Sequence, residues 1–300
     1  MDIAQLEAFL AIARLGSFSK AAAKLHRSQP AISRRLALLE EEFGASLFER
    51  VHKKVQLTDA GRALVSYAEA ALASATGGIE AVRDQLSEGE GTVSLGVVGT
   101  LVDRRFASLL AEFAASGAPS RLRVTTTSSE AISELVRAGE VVLGLRYFLD
   151  SNPEVECQQI GWERMVAVSA PAPYPKTRGK TKIHAMLNAQ WIGFTSSKLS
   201  REGFGSLLVK QLEKAGVAQP KIMFVDSLSA QKRFVETGLG LGFLPYSSVR
   251  DELAEGTLVL VNASQVSTRI PVALVHRRMG YLSPAARELK ARLVDLWEKT

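Results

Sequence analysis

Residues 17–50 read SFSKAAAKLHRSQPAISRRLALLEEEFGASLFER, and this stretch decides the fold of the first part of the chain. The three alanines at 21–23 suit a closely packed helix, for which Ser19 is the expected N-cap. His26 and Arg27 follow as a turn before a second helical pattern begins. The spacing predicts two short helices joined by a tight turn, which is the layout of a helix-turn-helix.

The second helix of this pair has one apolar face and one polar face. Ser28 is the expected N-cap, and Pro30 lies in the first turn, where a missing amide donor costs little. Ile32, Leu36 and Leu39 recur at helical spacing and are expected to face inward. The outer face then carries side chains that can reach base edges and phosphates, namely Gln29, Ser33 and Arg34.

A longer stretch, residues 5–61, resembles the winged helix-turn-helix of LysR-type transcriptional regulators. The resemblance rests on AFLAIARLGSFSKAAAKLHRSQPAISRRLALLEEEFGASLFER and on the following VQLTDAG at 55–61. The family usually has a glycine in the wing tip, whereas residues 50–54 here read RVHKK. Lys53 and Lys54 keep the tip cationic, so that it can meet a phosphate backbone.

The resemblance implies how this domain meets duplex DNA. Side chains at the start of the second helix would enter the major groove, and flanking cations would hold phosphates. The expected DNA-binding residues are Arg27, Ser28, Gln29, Pro30, Ser33, Arg34, Arg35, Lys53 and Lys54. Gln29 can equally contact the backbone, and the same three-helix shape also occurs as plain packing. Residues 40–42, three glutamates, are expected to form a solvated helix end.

Composition allows two to three compact units in 300 residues, with 46% hydrophobic residues for their cores. The net charge is +6, but residues 1–90 carry 11 Lys and Arg against 12 Asp and Glu. The basic excess is local, with ten against five in residues 14–62 and 26 against 19 in residues 91–300. A basic second half suits an anionic ligand, or is simply a soluble basic surface.

The cysteine content and the hydropathy pattern indicate the cellular compartment in which the protein is expected. Cys157 is the single cysteine, which excludes an internal disulfide and a cysteine-based zinc site. The amino end has no basic segment ahead of an apolar run, and no apolar run reaches membrane-spanning length. We therefore expect a cytoplasmic protein without a membrane anchor.

A long helix is expected from Thr58 to Ser87, followed by a hinge at the Glu-Gly-Glu-Gly of residues 88–91. Its apolar positions recur every three or four residues and form a seam for a partner helix. The alternative is an ordinary amphipathic helix lying on its own domain. The seam consists of Leu64, Ala68, Ala71, Ala75, Ile79, Val82 and Leu86.

From Thr92 onward, short apolar strands alternate with helices, which is typical of a doubly wound α/β sheet. The LysR resemblance continues here in VSLGV at 93–97, SSE at 128–130 and ETGLGLGFLP at 236–245. It implies a periplasmic-binding-protein-like effector domain of two subdomains with a ligand cleft between them. The expected divisions are 1–58 for DNA binding, 59–90 for the linker, and 91–300 for the effector domain, with subdomain I at 92–162 and 270–300 and subdomain II at 163–269.

Hydroxyl-rich strand ends precede several predicted helices in this second half. Hydroxyls and free helix amides suit a carboxylate, and Arg146 at a strand end would add a charged partner. The alternative is that the serines and threonines are only N-caps and that the arginine is a solvated surface charge. The expected effector-binding residues are Gly99, Thr100, Ser128, Ser129, Arg146, Thr195, Ser196 and Ser197.

The sequence contains partial matches to catalytic, metal-binding and cofactor-binding motifs, but each lacks a required residue, spacing or position. The glycine run at 238–242 lies between a helix and the following strand, so it indicates a packing corner rather than a dinucleotide turn. The Gly-Lys-Thr at 179–181 lacks the first glycine of a phosphate loop. The four histidines have no metal-like spacing, and no nucleophile elbow occurs. We therefore expect no enzyme activity and no cofactor.

The helix-turn-helix and the predicted dimer seam indicate a DNA-binding regulator that binds an inverted repeat as a homodimer. The LysR resemblance further implies a homotetramer and control of transcription from promoter DNA by an effector. Its cleft is expected to bind a small, anionic metabolite, and RNA polymerase is a possible further partner. One alternative is a solute-binding or enzymatic α/β protein with an incidental helical appendage. Another is a DNA-binding protein whose second half only oligomerises.

Overall fold

A computed structural model describes most of the chain. It covers residues 1–51, 54–86, 92–117, 121–171, 189–194, 203–217, 219–261 and 266–298. Within these residues the chain forms a small helical domain, a long helix and a mixed α/β domain. Helices alternate with the strands of a mixed sheet in this second domain, so the α/β class predicted from the sequence is confirmed.

The amino-terminal domain packs three helices against a two-stranded wing. Ile32 and Leu39 are fully buried among residues of the first helix, as their helical spacing predicts. The wing strands pair antiparallel, with Val51 opposite Lys54. The elements are α1 (Ile3–Leu15), α2 (Phe18–Lys24), α3 (Gln29–Phe43), β1 (Phe48–Val51) and β2 (Lys54–Leu57).

The turn between α2 and α3 follows the predicted chemistry with one correction. The N-cap of α2 is Ser17, whose side chain accepts a hydrogen bond from the Lys20 amide, so the expectation of Ser19 was wrong. Ser28 caps α3 as predicted. His26 adopts a φ of +52°, the left-handed conformation that lets the chain reverse between the helices.

Helix α4 (Asp59–Leu86) follows directly. The Thr58 hydroxyl accepts a hydrogen bond from the Gly61 amide at 3.0 Å, which caps its start. Leu64, Ala68 and Ala71 pack on the core of the amino-terminal domain, so this half of the predicted seam lies on its own chain. Farther along, Ile79 and Val82 are 55% and 60% exposed.

The second half of the chain forms one continuous sheet flanked by helices. Its strands are β3 (Thr92–Val98), β4 (Arg121–Thr127), β5 (Leu143–Tyr147), β6 (Val155–Ser169), β7 (Trp191–Phe194), β8 (Ile222–Val225), β9 (Leu241–Pro245), β10 (Val259–Leu260) and β11 (Thr268–Arg277). Its helices are α5 (Arg104–Ala115), α6 (Ser129–Arg137), α7 (Phe204–Lys214), α8 (Leu228–Glu236), α9 (Arg250–Glu255) and α10 (Pro284–Glu298). Short 3-10 turns occur at Gly99–Leu101 and Tyr246–Val249.

Two long strands join the halves of this sheet, whose order is β4-β3-β5-β11-β6-β9-β7-β8, with β10 beside β6. β11 pairs antiparallel along its whole length with residues 155–165 of β6. β3, β4 and β5 pair in parallel at one end, and β7, β8 and β9 at the other. Two parallel units therefore face each other across a pair of crossing strands, and the carboxyl ends of their strands meet between them.

The glycine run at 238–242 forms the helix-to-strand corner that its position predicts. Gly238 ends α8 with a φ of +79°. A Cβ on Gly240 would lie 2.7 Å from the Gln190 carbonyl oxygen, so only glycine fits beside the neighbouring strand.

The amino-terminal domain and α4 also contact the α/β domain of the same chain. Arg14 pairs with Glu69 on α4 and with Glu140 after α6, at 3.1 and 2.6 Å. The Arg277 guanidinium donates to the Ala73 carbonyl oxygen at 3.0 Å. These contacts fix the helix against the end of α6.

Candidate functional site

The outer face of α3 is free for a ligand. Gln29 and Arg34 are exposed, whereas Ile32 between them is buried, so the helix presents the side chains that its periodicity predicts. The Ser19 hydroxyl donates to Gln29 Oε1 at 2.9 Å. This bond holds the Gln29 amide in place and leaves its NH₂ group available as a donor.

The other predicted DNA-binding residues surround this face. Arg27, Ser28 and Pro30 are exposed at the start of α3. Ser33 and Arg35 are half-buried on its flanks, and Lys54 is exposed on the wing. Lys53 lies outside the described residues.

The end of α3 holds the wing, a role that the sequence reasoning missed. Glu40 was expected to be a solvated side chain, but its Oε1 accepts from the Leu47 amide at 2.6 Å and from the Phe48 amide at 3.3 Å. This carboxylate satisfies two amides at the start of the wing. A glutamate within an acidic run gives no sequence signal for such a bond.

A cleft of about 580 Å³ lies between the two units of the α/β domain. Gly99, Thr100, Ser128 and Ser129 line one wall, so the structure brings together four of the predicted effector-binding residues. The first turns of α6 and α8 both border the cleft, with Ser128 and Ser227 as their N-caps. Two helix starts therefore direct their positive dipole ends toward the same volume.

An aromatic floor for the cleft was absent from the sequence prediction. Tyr147 is buried at the end of β5, and its ring packs edge-on against Phe204 with centroids 5.1 Å apart. Phe194 extends the group, 6.0 Å from Phe204. Tyr147 ends β5 and Phe194 ends β7, so both lie at the strand ends that border the cleft. The sequence prediction considered only hydroxyl and charged side chains at such ends and therefore missed these aromatic residues.

Hydrogen bonds fix Tyr147 against the predicted residues. The Thr100 hydroxyl donates to the Tyr147 phenol oxygen at 2.9 Å, and the Tyr147 amide donates to Ser129 Oγ at 3.2 Å. Burial, with the nearby negative charge of Glu163 in support, raises the pKa of the Tyr147 phenol well above its usual value. The phenol therefore stays neutral and can donate a hydrogen bond.

Arg146 does not reach the cleft, contrary to expectation. Neighbouring residues of a strand point to opposite faces, so Tyr147 faces the cleft while Arg146 turns toward α6. Its guanidinium is buried and donates to Ser133 Oγ and to Asp150 at 2.5 and 2.8 Å. We therefore treat Arg146 as a structural residue.

Asp150 completes this buried group. Its burial alone would raise the pKa of the carboxyl, but hydrogen bonds from Ser133 and Asn152 and the charges of Arg146 and Arg137 outweigh burial and lower it. The carboxylate is therefore ionised and paired at neutral pH.

The second wall of the cleft carries Asp226 and Ser229, beside the start of α8. Glu130 lies on the first wall. Among the described lining residues, the charged side chains are therefore both acidic. Thr195, Ser196 and Ser197 lie outside the described residues.

Metal-binding clusters and membrane-spanning helices are both absent from the part of the chain that the structure describes. No group of three or more histidines, cysteines or carboxylates there is arranged to hold a metal ion. None of the described helices is both long and apolar enough to cross a membrane.

Comparison with known proteins identifies the family. A model described as a bacterial regulatory helix-turn-helix protein of the lysR family matches residues 3–62. A second model, the LysR substrate binding domain, matches residues 87–298, more than half of the chain. The chain belongs to the LysR family. This LysR-type protein is a DNA-binding transcriptional regulator with an effector-binding domain.

Individual LysR proteins agree with this assignment along nearly their whole lengths. The RuBisCO operon transcriptional regulator of Allochromatium vinosum is 30% identical over 288 residues, 95% of this chain and 93% of that protein. Full-length CbnR, solved with its target DNA, shares the fold with a TM-score of 0.63 at 23% identity, covering 100% and 99% of the two chains. LysG of Corynebacterium glutamicum, solved with bound effector Arg, has a TM-score of 0.61 at 20% identity, covering 100% and 99%.

Proposed function

We propose that this LysR-type regulator reads promoter DNA with α3 and the wing, and that a carboxylate-bearing metabolite in the cleft controls its effect on transcription. The observation that carries the cleft assignment is the meeting of two helix starts over Thr100, Ser128 and Ser129. Free amides and hydroxyls at a helix start bind a carboxylate well.

The lining of the same cleft supports a proposal for the charge of the effector. The sequence favoured an anionic metabolite, and the two helix starts suit its carboxylate end. Glu130 and Asp226 favour a positively charged group elsewhere on the molecule, since they border the cleft with negative charge. A zwitterion such as an amino acid satisfies both requirements, and LysG, which has this fold, holds arginine.

The DNA assignment rests on exposed α3 residues whose inward neighbours are buried. Arg34 forms no ion pair among the described residues, so it is available to a base or a phosphate. Two copies of the chain would place two such helices on an inverted repeat. Dimer or tetramer assembly, action in the cytoplasm and contact with RNA polymerase belong to this proposal.

The DNA contact is tested with Arg34→Ala on a fragment from upstream of the protein's own gene. Loss of one base or phosphate contact should weaken binding by about 1–3 kcal/mol, roughly 5- to 150-fold, in a gel-shift titration at 0.15 M salt. Arg287→Ala on α10 removes an equivalent exposed charge and should leave affinity unchanged. Equal affinities for the two variants would remove Arg34 from the interface.

The cleft is tested by thermal denaturation of the full chain with the twenty amino acids and with mono-, di- and tricarboxylates. A ligand at a hundred times its dissociation constant should stabilise the folded state by about 2.7 kcal/mol. Thr100→Val and Ser128→Ala should each reduce that stabilisation. Full stabilisation of both variants by a confirmed ligand would place its site elsewhere.

A further inference from the structure

A second cavity, of about 710 Å³, shares no lining residue with the cleft. It lies over the crossing strands β6 and β11, between the 3-10 turn at Tyr246–Val249 and the end of α10. Four arginines line it, Arg105, Arg164, Arg250 and Arg269. We call this cavity the arginine groove.

Two of these arginines stand directly opposite each other. Arg164 on β6 pairs with Arg269 on β11 in the antiparallel register, and both side chains are exposed. Side chains in such a pair lie on the same face, with Cβ atoms about 5 Å apart, and like charges there are destabilising. An anion between the two guanidiniums would remove this repulsion.

Arg250 supplies a third guanidinium, which shares the ring of Tyr246 with Arg164. The Arg164 guanidinium lies 4.0 Å from the centre of the Tyr246 ring, and that of Arg250 lies 5.9 Å from it. Within the described part of the chain, Arg164, Arg250 and Arg269 form no ion pair with a carboxylate. Arg105 differs, since it pairs with Asp103 at 3.1 Å.

The groove also has two glutamates, which do not neutralise these cations. Glu163 is buried, and its carboxylate accepts from the amide and the hydroxyl of Ser247 at 3.2 and 2.7 Å. Burial raises the pKa of the Glu163 carboxyl. Glu298 lies exposed at the end of α10. The cationic character of the groove is therefore maintained.

Trp162 adds an apolar surface. It lies two residues before Arg164 on β6, hence on the same face of the strand, and is 53% exposed. Trp297 at the end of α10 also lines the groove. It packs against Gly161, where an added Cβ would lie 3.0 Å from the indole. A large exposed indole beside three guanidiniums is typical of a ligand site rather than of a solvated sheet face.

We propose that the arginine groove is a second binding site, specific for a small multivalent anion that carries phosphate or several carboxylate groups. Three guanidinium forks supply the bidentate donors that such groups need. Trp162 packs against the carbon skeleton of the ligand.

The groove is also connected to the cleft. Tyr246 is followed directly by Ser247, whose hydroxyl donates to Glu163 at 2.7 Å, and the charge of Glu163 in turn acts on the Tyr147 phenol at the cleft floor. An anion that shifts Arg164 and Tyr246 would therefore affect the floor of the effector cleft through Ser247 and Glu163. Binding at the two sites should be coupled, and the coupling must be reciprocal.

The test titrates the full-length protein with pyrophosphate and with citrate in 0.15 M NaCl at pH 7.5, following tryptophan fluorescence. All three tryptophans lie in the α/β domain, so binding of an anion to the DNA-binding domain does not dominate the signal. We expect saturable binding of one anion per chain. Arg164→Gln and Arg269→Gln should each weaken it at least tenfold, whereas Arg287→Gln should change it less than twofold.

A second measurement, of melting temperatures, tests the repulsion between Arg164 and Arg269. In a buffer without multivalent anions, Arg269→Gln should raise the melting temperature, because it removes the like-charge pair. With pyrophosphate added, the wild type should gain more stability than the variant. A ligand site requires both results, a higher melting temperature of Arg269→Gln without the anion and a smaller gain in stability with it. A merely structural arginine would not produce this combination.

Several results would overturn the proposal. They are the absence of saturable binding of both probes, equal weakening by Arg287→Gln, and equal weakening by the cleft variant Ser128→Ala. The last result would mean that the anions occupy the cleft. Binding of pyrophosphate alone would identify phosphate as the recognised group, and binding of both probes would identify multivalent charge.

Discussion

At the scale of single residues, the direction of a side chain along β5 separates a structural arginine from a ligand-facing tyrosine. Arg146 and Tyr147 are neighbours, yet only Tyr147 lines the cleft. Arg146 instead neutralises Asp150 within a buried group, where both side chains are at most 14% exposed. A buried charge needs such a partner, because an isolated one is costly.

Arg146→Ala should therefore destabilise the fold rather than only weaken ligand binding. Removing one partner of a buried pair costs about 3–5 kcal/mol near neutral pH, and denaturant unfolding measures it. Asp150 has a lowered pKa, so its stabilising effect is present above its ordinary value of 3.8 and is lost as the pH falls through the folded-state pKa. The difference between wild type and variant should narrow below about pH 4; a constant difference would contradict the pairing.

At the scale of secondary-structure elements, α4 divides its apolar residues between two tasks. Its first half packs on the amino-terminal core, whereas Tyr67, Ile79 and Val82 remain exposed. Small residues lie between these positions, for example Ala70 and Gly78. Exposed apolar side chains separated by small residues favour close approach of a second helix, so the second half of the predicted seam remains the proposed dimer contact.

The double variant Ile79→Glu/Val82→Glu should weaken dimerisation by about tenfold or more, because it would bury two unpaired charges between the helices. Analytical ultracentrifugation over a concentration series measures this. Leu260→Glu provides the control, since Leu260 is similarly exposed on β10, away from α4. Unchanged assembly of the double variant would assign the dimer contact to another surface.

At the scale of the whole molecule, α4 is docked against the α/β domain through a close approach of small residues. A Cβ on Gly139 would lie 2.9 Å from the Ala73 Cβ. Arg277 hydrogen-bonds the same turn of α4, at the Ala73 carbonyl. Arg14 forms ion pairs with both Glu69 on α4 and Glu140 after α6. The α/β domain is therefore in direct contact with α4 and, through Arg14, with the DNA-binding domain.

Gly139→Ala should loosen this docking, because the added methyl group collides with Ala73. Gly139 also has a positive φ of +72°, and Gly256→Ala controls for that strain because Gly256 has a φ of +75° and open space around it. Gly139→Ala should cost about 1–3 kcal/mol more than Gly256→Ala in denaturant unfolding. Ala73→Gly should couple favourably with Gly139→Ala in a double-mutant cycle; additive effects would contradict the docking contact.

The sequence by itself determined the local features of this protein. The caps and the turn around Ser28, the inward face of α3 and the alternation of strands and helices follow from spacing and backbone chemistry, which act within a few residues. The family resemblance then identified the two-part architecture. The serines at the start of α6 were predicted for the cleft because strand ends and helix starts share one edge of a parallel sheet.

Only the tertiary structure decided which of these residues meet. It directed Arg146 away from the cleft, bound Glu40 to the wing, made Tyr147 the cleft floor, and set Arg164 opposite Arg269. The Tyr147 floor and the Arg164–Arg269 pair depend on contacts between residues distant in the chain. The bonds of Glu40 and Arg146 span only a few residues, but they depend on how the packed elements direct each side chain. Such contacts leave no local pattern, because burial and pairing are properties of the packed molecule rather than of a short segment.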